Sequence, residues 1–290
     1  MESKVFFAKS WSIAFVEYQK WLNNPRMIIL LCAIVFMWNF AISPLVSLSE
    51  EMNSPLNALE PFIAVLNSKF LCLIMPAVYL FLISDYPRLD KNGVFVLSRV
   101  GRVNWFLGQL NFFFLAAFTF MSIIFICSFL PIIFDSFLAN GWSVAVTRYE
   151  ISFPDKSSSF AANLITKELY NQVTPFMAAS MSFLTTFLYL FLLSAILLLF
   201  YTFNLKQLGS VTTISIIAIG SALGIIKANA MWCFPMAHTM INLHFTEYFK
   251  KPVLDFKYSI LYFLVLIFLL ISISFAAIKR TNFVVVSENE

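Results

Sequence analysis

Apolar residues gather into long runs separated by short polar stretches. Residues 3–22 differ: Phe7, Trp11, Phe15, Tyr18 and Leu22 recur every three to four positions and share one helical face, while Lys4, Lys9, Glu17 and Lys20 fall mostly elsewhere. This pattern predicts an amphipathic helix lying in a membrane interface, stopped at Asn23-Asn24-Pro25. Six apolar runs follow, at 27–46, 62–83, 106–130, 176–201, 211–226 and 258–278. Most approach the roughly 20 residues that cross a hydrocarbon core. The second run includes Asn67, Ser68 and Lys69, because a start after Lys69 leaves too few residues to cross upright. The fifth run is short, and 228–243 continues it as an apolar stretch broken by Asn229, Pro235, His238 and Asn242. Such a stretch reads as re-entrant or interfacial, tolerated where it packs on protein or lines water. The longest polar segment is 131–175, in which Phe160, Leu164 and Leu169 suggest a short amphipathic helix.

Composition then fixes the class. Hydrophobic residues make up 60% of the 290 and charged residues only 12%, with a mean hydropathy of +0.84. No soluble core buries that much apolar surface, and a disordered chain is excluded for the same reason. The expected fold is an all-α integral membrane domain spanning 1–290, with six transmembrane helices. A net charge of +4 is too weak and too scattered for nucleic-acid binding. Placement matters more: the segments before residue 27, at 85–103, at Lys206 and after residue 278 hold eleven Lys and Arg. The alternate segments hold seven and are longer. Both termini are therefore expected in the cytoplasm. The chain opens on charged residues, so no cleavable signal peptide is expected. Cys32, Cys72, Cys127 and Cys233 lie in or beside apolar runs and read as packing residues.

Candidate chemistry is sparse. No Gly is followed by Lys and no two Gly are separated by one residue, so the phosphate-binding loop and the dinucleotide fingerprint are both absent. No catalytic or metal site is expected in this chain. Phe234-Pro235-Met236-Ala237-His238 and His238-Thr239-Met240-Ile241-Asn242 resemble fragments of the membrane glutamic peptidases. That family needs a Glu-Glu pair with a downstream Arg, and here Glu50-Glu51 is followed by Pro55 at that place. Lys69 is expected to snorkel to the nearer interface. Gly220 and Gly224 share one helical face and permit a close helix contact.

The segment 85–103 is the most distinctive. Asp85-Tyr86-Pro87-Arg88 leads to Val94, Phe95 and Leu97, an apolar patch framed by charges. Arg99, Arg102, Trp105, Gly108 and Gln109 follow in an Arg-x-x-Arg-x-x-aromatic-x-x-Gly-Gln pattern. A positive loop explains the cations but not an apolar run in a short connection, which points to a protein partner. Together with the interfacial helix, the six spans and the broken stretch before the last span, this pattern resembles the membrane subunit of bacterial ABC transporters of the ABC-2 permease type. The resemblance implies a multi-pass exporter subunit in a bacterial cytoplasmic membrane. It implies a separate ABC ATP-binding subunit that carries ATP and Mg and docks on Arg88, Val94, Phe95, Leu97, Arg99 and Arg102. It also implies a second permease copy or a paralogue, with membrane lipids around both. The roughly 40-residue outer segment departs from the best-known members. A non-transporting sensory or assembly subunit stays open as the alternative, and an intramembrane peptidase behind it.

Overall fold

The computed structural model describes residues 2–88, 91–248 and 251–280, with the side chains of 2–8, 91–94 and 96 outside the description. The chain is helical almost throughout. Helix α1 is Glu2–Leu22, and α2 is Met27–Met52, continuous through a widened π turn at Trp38–Ile42. Helices α3 (Glu60–Asn67) and α4 (Leu71–Ile83) follow, then α5 (Lys91–Val100) and α6 (Arg102–Ile132). After α7 (Val144–Ser152) come α8 (Pro175–Thr202), α9 (Lys206–Ile226) and α10 (Phe256–Ile278). By length and composition α2, α6, α8, α9 and α10 can each cross a membrane, and α3 with α4 makes a sixth crossing if the bent pair counts as one.

Helix α8 is the central mast. Its buried face contacts α3, α4, α6, α9 and α10. Inside the bundle Tyr79 and Ser194 share a hydrogen bond of 2.8 Å, and Phe62, Phe112, Phe113 and Phe120 are fully buried. The abundant Phe thus divides: some fills the interior, while others, such as Phe114, Phe118 and Phe268, face outward.

Two expectations change. The run 62–83 is not one helix: α3 and α4 meet at 81°, with Ser68 extended at ψ 134°. An upright crossing would need the whole run, but all eight residues of α3 are buried in protein, so its backbone needs no straight path through lipid. The amphipathic helix expected near 160–169 is also absent. Turns occupy that stretch, with one helical turn at Lys167–Tyr170, and the longer helix is α7. Ser143 explains α7: its side chain accepts from Val146 N at 3.1 Å as an N-cap.

The helix ends sort into two groups. Trp21 Nε1 donates to Leu82 O, Lys206 Nζ donates to Asp85 O, and Arg102 donates to Lys279 O. The ends of α1, α4 and α10 thus lie with the starts of α6 and α9, at what we term the basal end. The cation-richer segments share this end. The opposite, capped end is closed by 53–60, 133–174, 227–248 and 251–255. A two-residue parallel pairing of β1 (Leu56–Asn57) with β2 (Ser136–Phe137) stitches the first two of these.

Candidate functional site

The basal end carries the residues that the sequence singles out. Helix α5 and helix α6 are joined by Gly101 alone, at φ 83°, a conformation that a side chain would strain. Gly101 N donates back to Leu97 O, which closes α5 just before the turn. Phe95 projects from α5 with 69% of its surface exposed, and Arg88 and Arg99 are exposed too. Leu97 is half-buried and packs on the core. The Val94 side chain lies outside the described residues. Arg102 does something else: its guanidinium donates to Lys279 O at 2.5 Å and Ile278 O at 3.5 Å. A cation on those carbonyls satisfies acceptors and opposes the negative end of the α10 dipole. A groove of about 680 Å³ lies beside it, bordered by Phe203, Asn204, Ala276 and Arg280.

Helix α1 packs against α6. Ser10, Ile13, Ala14, Glu17 and Trp21 form the buried face, at spacings of three and four. Trp11, Phe15 and Leu22, three members of the aromatic face read from the sequence, point outward. Tyr18 leaves that set: its hydroxyl is 2.7 Å from Thr119 Oγ1 in α6. The Phe7 side chain lies outside the described residues. The contact needs Gly108, because a Cβ there would sit 2.7 Å from Ile13 Cγ2 and 3.2 Å from Ser10 O. Trp105 and Gln109 are buried as well, and the Trp105 ring lies 5.7 Å from Tyr201. The second half of the Arg-x-x-Arg pattern is therefore occupied in seating α1 and α10. Only its first half, with Phe95 ahead of it, faces outward.

The interior holds the two broken elements against each other. Asn67, at the bend, donates to Ile63 O at 2.9 Å and to Ser182 Oγ at 3.0 Å. Its carbonyl accepts from Ile241 N at 2.7 Å. One buried amide thus satisfies backbone groups on both breaks, as irregular chain inside a bundle requires. The stretch 229–244 folds as short turns around Pro235–Thr239 and is buried from Pro235 to His244. Gly220 and Gly224 make room for it: a Cβ on Gly220 would meet Met236 Cβ at 2.9 Å, and Gly224 faces Met240 and Leu243. His238 is engaged at both nitrogens. Nε2 donates to Trp232 O at 2.9 Å, Nδ1 pairs with Ser259 Oγ at 2.7 Å, and the ring stacks on Tyr262. His244 Nδ1 donates to Leu254 O at 3.0 Å. Among the described residues no group of three His, Cys, Asp or Glu is arranged to hold a metal.

The capped end is bound together by acidic side chains. Glu60 is fully buried, and its carboxylate accepts from Asn57 N at 3.0 Å and Ser143 N at 2.7 Å. Asn57 Nδ2 donates onward to Ala139 O and Gly141 O. Glu51 accepts from Tyr149 and pairs with Lys156 at 2.8 Å. Lys167 pairs with Glu150 at 2.6 Å, and Lys227 with Glu168 at 3.2 Å. Lys69 is exposed at the bend, beside a Phe70 ring that meets Phe160 of the cap.

No family model matches the chain, and no curated protein or solved structure matches it either.

Proposed function

We propose that the chain is the membrane-spanning permease subunit of an ATP-driven exporter of the ABC-2 type. In this reading it has six spans, the bent α3–α4 pair counting as the second, and both termini lie in the cytoplasm. The basal end then faces the cytoplasm, where the positive-inside rule puts the richer Lys and Arg segments. A separate ATP-binding subunit docks there, and a second copy or a paralogue completes the pathway across a bacterial cytoplasmic membrane. The substrate is a peptide, a drug or a lipid-like molecule.

The observation that carries the reading is Phe95. A large aromatic, 69% exposed on a short helix between two crossings, flanked by exposed Arg88 and Arg99, suits a protein partner rather than water. Arg102, expected at the same interface, is engaged with the end of α10, so it ties the start of α6 to α10 rather than offering a docking group. Closure of a partner dimer on ATP would push α5. Gly101 and the α1–α6 contact would pass that displacement to α6, and thence to α8. The nucleotide chemistry belongs to the partner.

The test is gentle affinity purification of the C-terminally tagged protein from its native host, with mass spectrometry of the proteins that accompany it. A stoichiometric P-loop protein, lost with Phe95→Asp, supports the reading. Its absence after cross-linking overturns it. The folded cap favours a second reading, a sensory or assembly subunit, because a groove of about 640 Å³ between Asn53, Pro55, Phe134 and Phe137 offers a ligand surface. A kinase or protease in place of the ATPase would favour that reading.

A further inference from the structure

A groove runs between α4 and α9. Leu73, Ala77 and Phe81 form one wall, and Ile214 and Ala218 the other, around a volume of about 440 Å³. Ala77 and Ala218 open it, because both are small and exposed. Phe81 lies eight positions after Leu73, and Ala218 eight after Ser210, so the groove is about 12 Å long at 1.5 Å per residue. That is most of one leaflet, whose hydrocarbon half is about 15 Å deep. Spread over that length, the volume leaves a slot narrower than a helix, which is about 10 Å across. A single extended chain fits where a partner helix does not.

The basal mouth of the groove is polar and cationic. Ser84 and Ser210 line it. Arg26 Nη1 donates to Ser84 Oγ at 3.1 Å, lies 2.8 Å from Asp85 Oδ2, and its guanidinium carbon sits 5.1 Å from the centre of the Phe81 ring. Lys206, one turn before Ser210, donates from Nζ to Asp85 O at 2.6 Å. Arg26 takes the Asp85 carboxylate while Lys206 rests on the Asp85 backbone carbonyl, so two cations stand against one carboxylate charge and the mouth keeps a positive excess at the level where a lipid headgroup ends and its chains begin. Arg26 is also about one-third exposed, which leaves donors available to an incoming anion.

We propose that this groove is a binding site for an anionic phospholipid, with one acyl chain between α4 and α9 and the phosphate on Arg26 and Lys206. The site does not depend on the exporter reading. A zwitterionic lipid fits the same slot but gains less from the mouth, and inorganic phosphate gains nothing from the slot.

Native mass spectrometry of the full chain in detergent tests this. The probes are phosphatidylglycerol and phosphatidylcholine with identical chains, at equal concentration, with inorganic phosphate as competitor. The wild type should retain one phosphatidylglycerol about tenfold over phosphatidylcholine, as two cations near an anionic lipid imply. Arg26→Gln with Lys206→Gln should bring that ratio close to one. Ala77→Phe with Ala218→Phe should remove the adduct with both cations in place, and phosphate should not displace it. Should the charge variant fail to fold, the groove-filling pair decides alone. Equal retention of the two lipids by the wild type would overturn the proposal. So would an undiminished preference in the groove-filled variant, or displacement by phosphate.

Discussion

The two ends of the bundle are built from the same helices but are closed in different ways. At the capped end, acidic side chains reach across the sequence: Glu60 to Asn57 and Ser143, Glu51 to Tyr149 and Lys156, Glu168 to Lys227. The chain there satisfies itself. At the basal end the long-range ties run from cations to helix-end carbonyls, Arg102 to Lys279 O and Lys206 to Asp85 O, with Arg26 on Asp85. Phe95 and Phe203 remain exposed beside them. Apolar side chains are exposed at both ends, Phe134 and Ile151 on the cap among them, so the contrast lies in charge: a lid whose acidic groups are spent internally, against a face that keeps positive charge for something else.

The contrast can be broken most severely at Glu60. Glu60→Ala strips two buried backbone N–H groups of their acceptor, at a cost of about 3 kcal/mol in stability. Thermal unfolding should show it, and limited proteolysis should cut first within 133–174 while α5 is unaffected. Next comes the seat of α1. Gly108→Val drives a side chain into Ile13 and should cost about 2 kcal/mol. Ile13→Ala should recover part of that loss in the double variant, which plain helix propensity would not allow.

Acid should loosen the cap more gently. Burial pushes the Glu168 carboxyl up, but hydrogen bonds and the Lys227 cation outweigh it and hold the carboxyl below its usual range. A depressed carboxylate stabilises the fold above its unfolded value and loses that contribution as pH falls through the folded one. Hydrogen exchange in the Lys167–Tyr170 turn should therefore rise below about pH 4, and Glu168→Gln should abolish the rise. The smallest effect on the fold is expected at Phe95. Phe95→Asp, on an exposed surface, should change stability by less than about 0.5 kcal/mol, while the exporter reading requires it to abolish partner binding.

Much of the fold was legible because long apolar runs leave few choices. The helices over 106–130, 176–201 and 258–278 are found within a few residues of their expected limits. Helix α9 begins five residues before its apolar run, at Lys206, and its Thr212 and Thr213 hydroxyls are satisfied within the helix, donating to Leu208 O and Gly209 O. The bend at Asn67 was not legible. An Asn in an apolar run does not announce that its amide will meet Ile241, 174 positions away. Helix α7 was missed although Ser143 marks its start, because apolar spacing at 160–169 drew attention further along. At the basal face the exposure of Phe95 followed from charges framing an apolar run. The duty of Arg102, Trp105 and Gly108 did not, since a spacing pattern gives one face of a helix and never what covers it.

The exporter reading requires the basal end to be the partner face. The most direct test places p-benzoylphenylalanine at Phe95 and, as the control, at Phe134, which is 96% exposed on the capped end. Irradiation in the native membrane should join position 95, and not position 134, to a protein carrying a P-loop. No adduct at position 95, or an ATPase captured only at position 134, would contradict it.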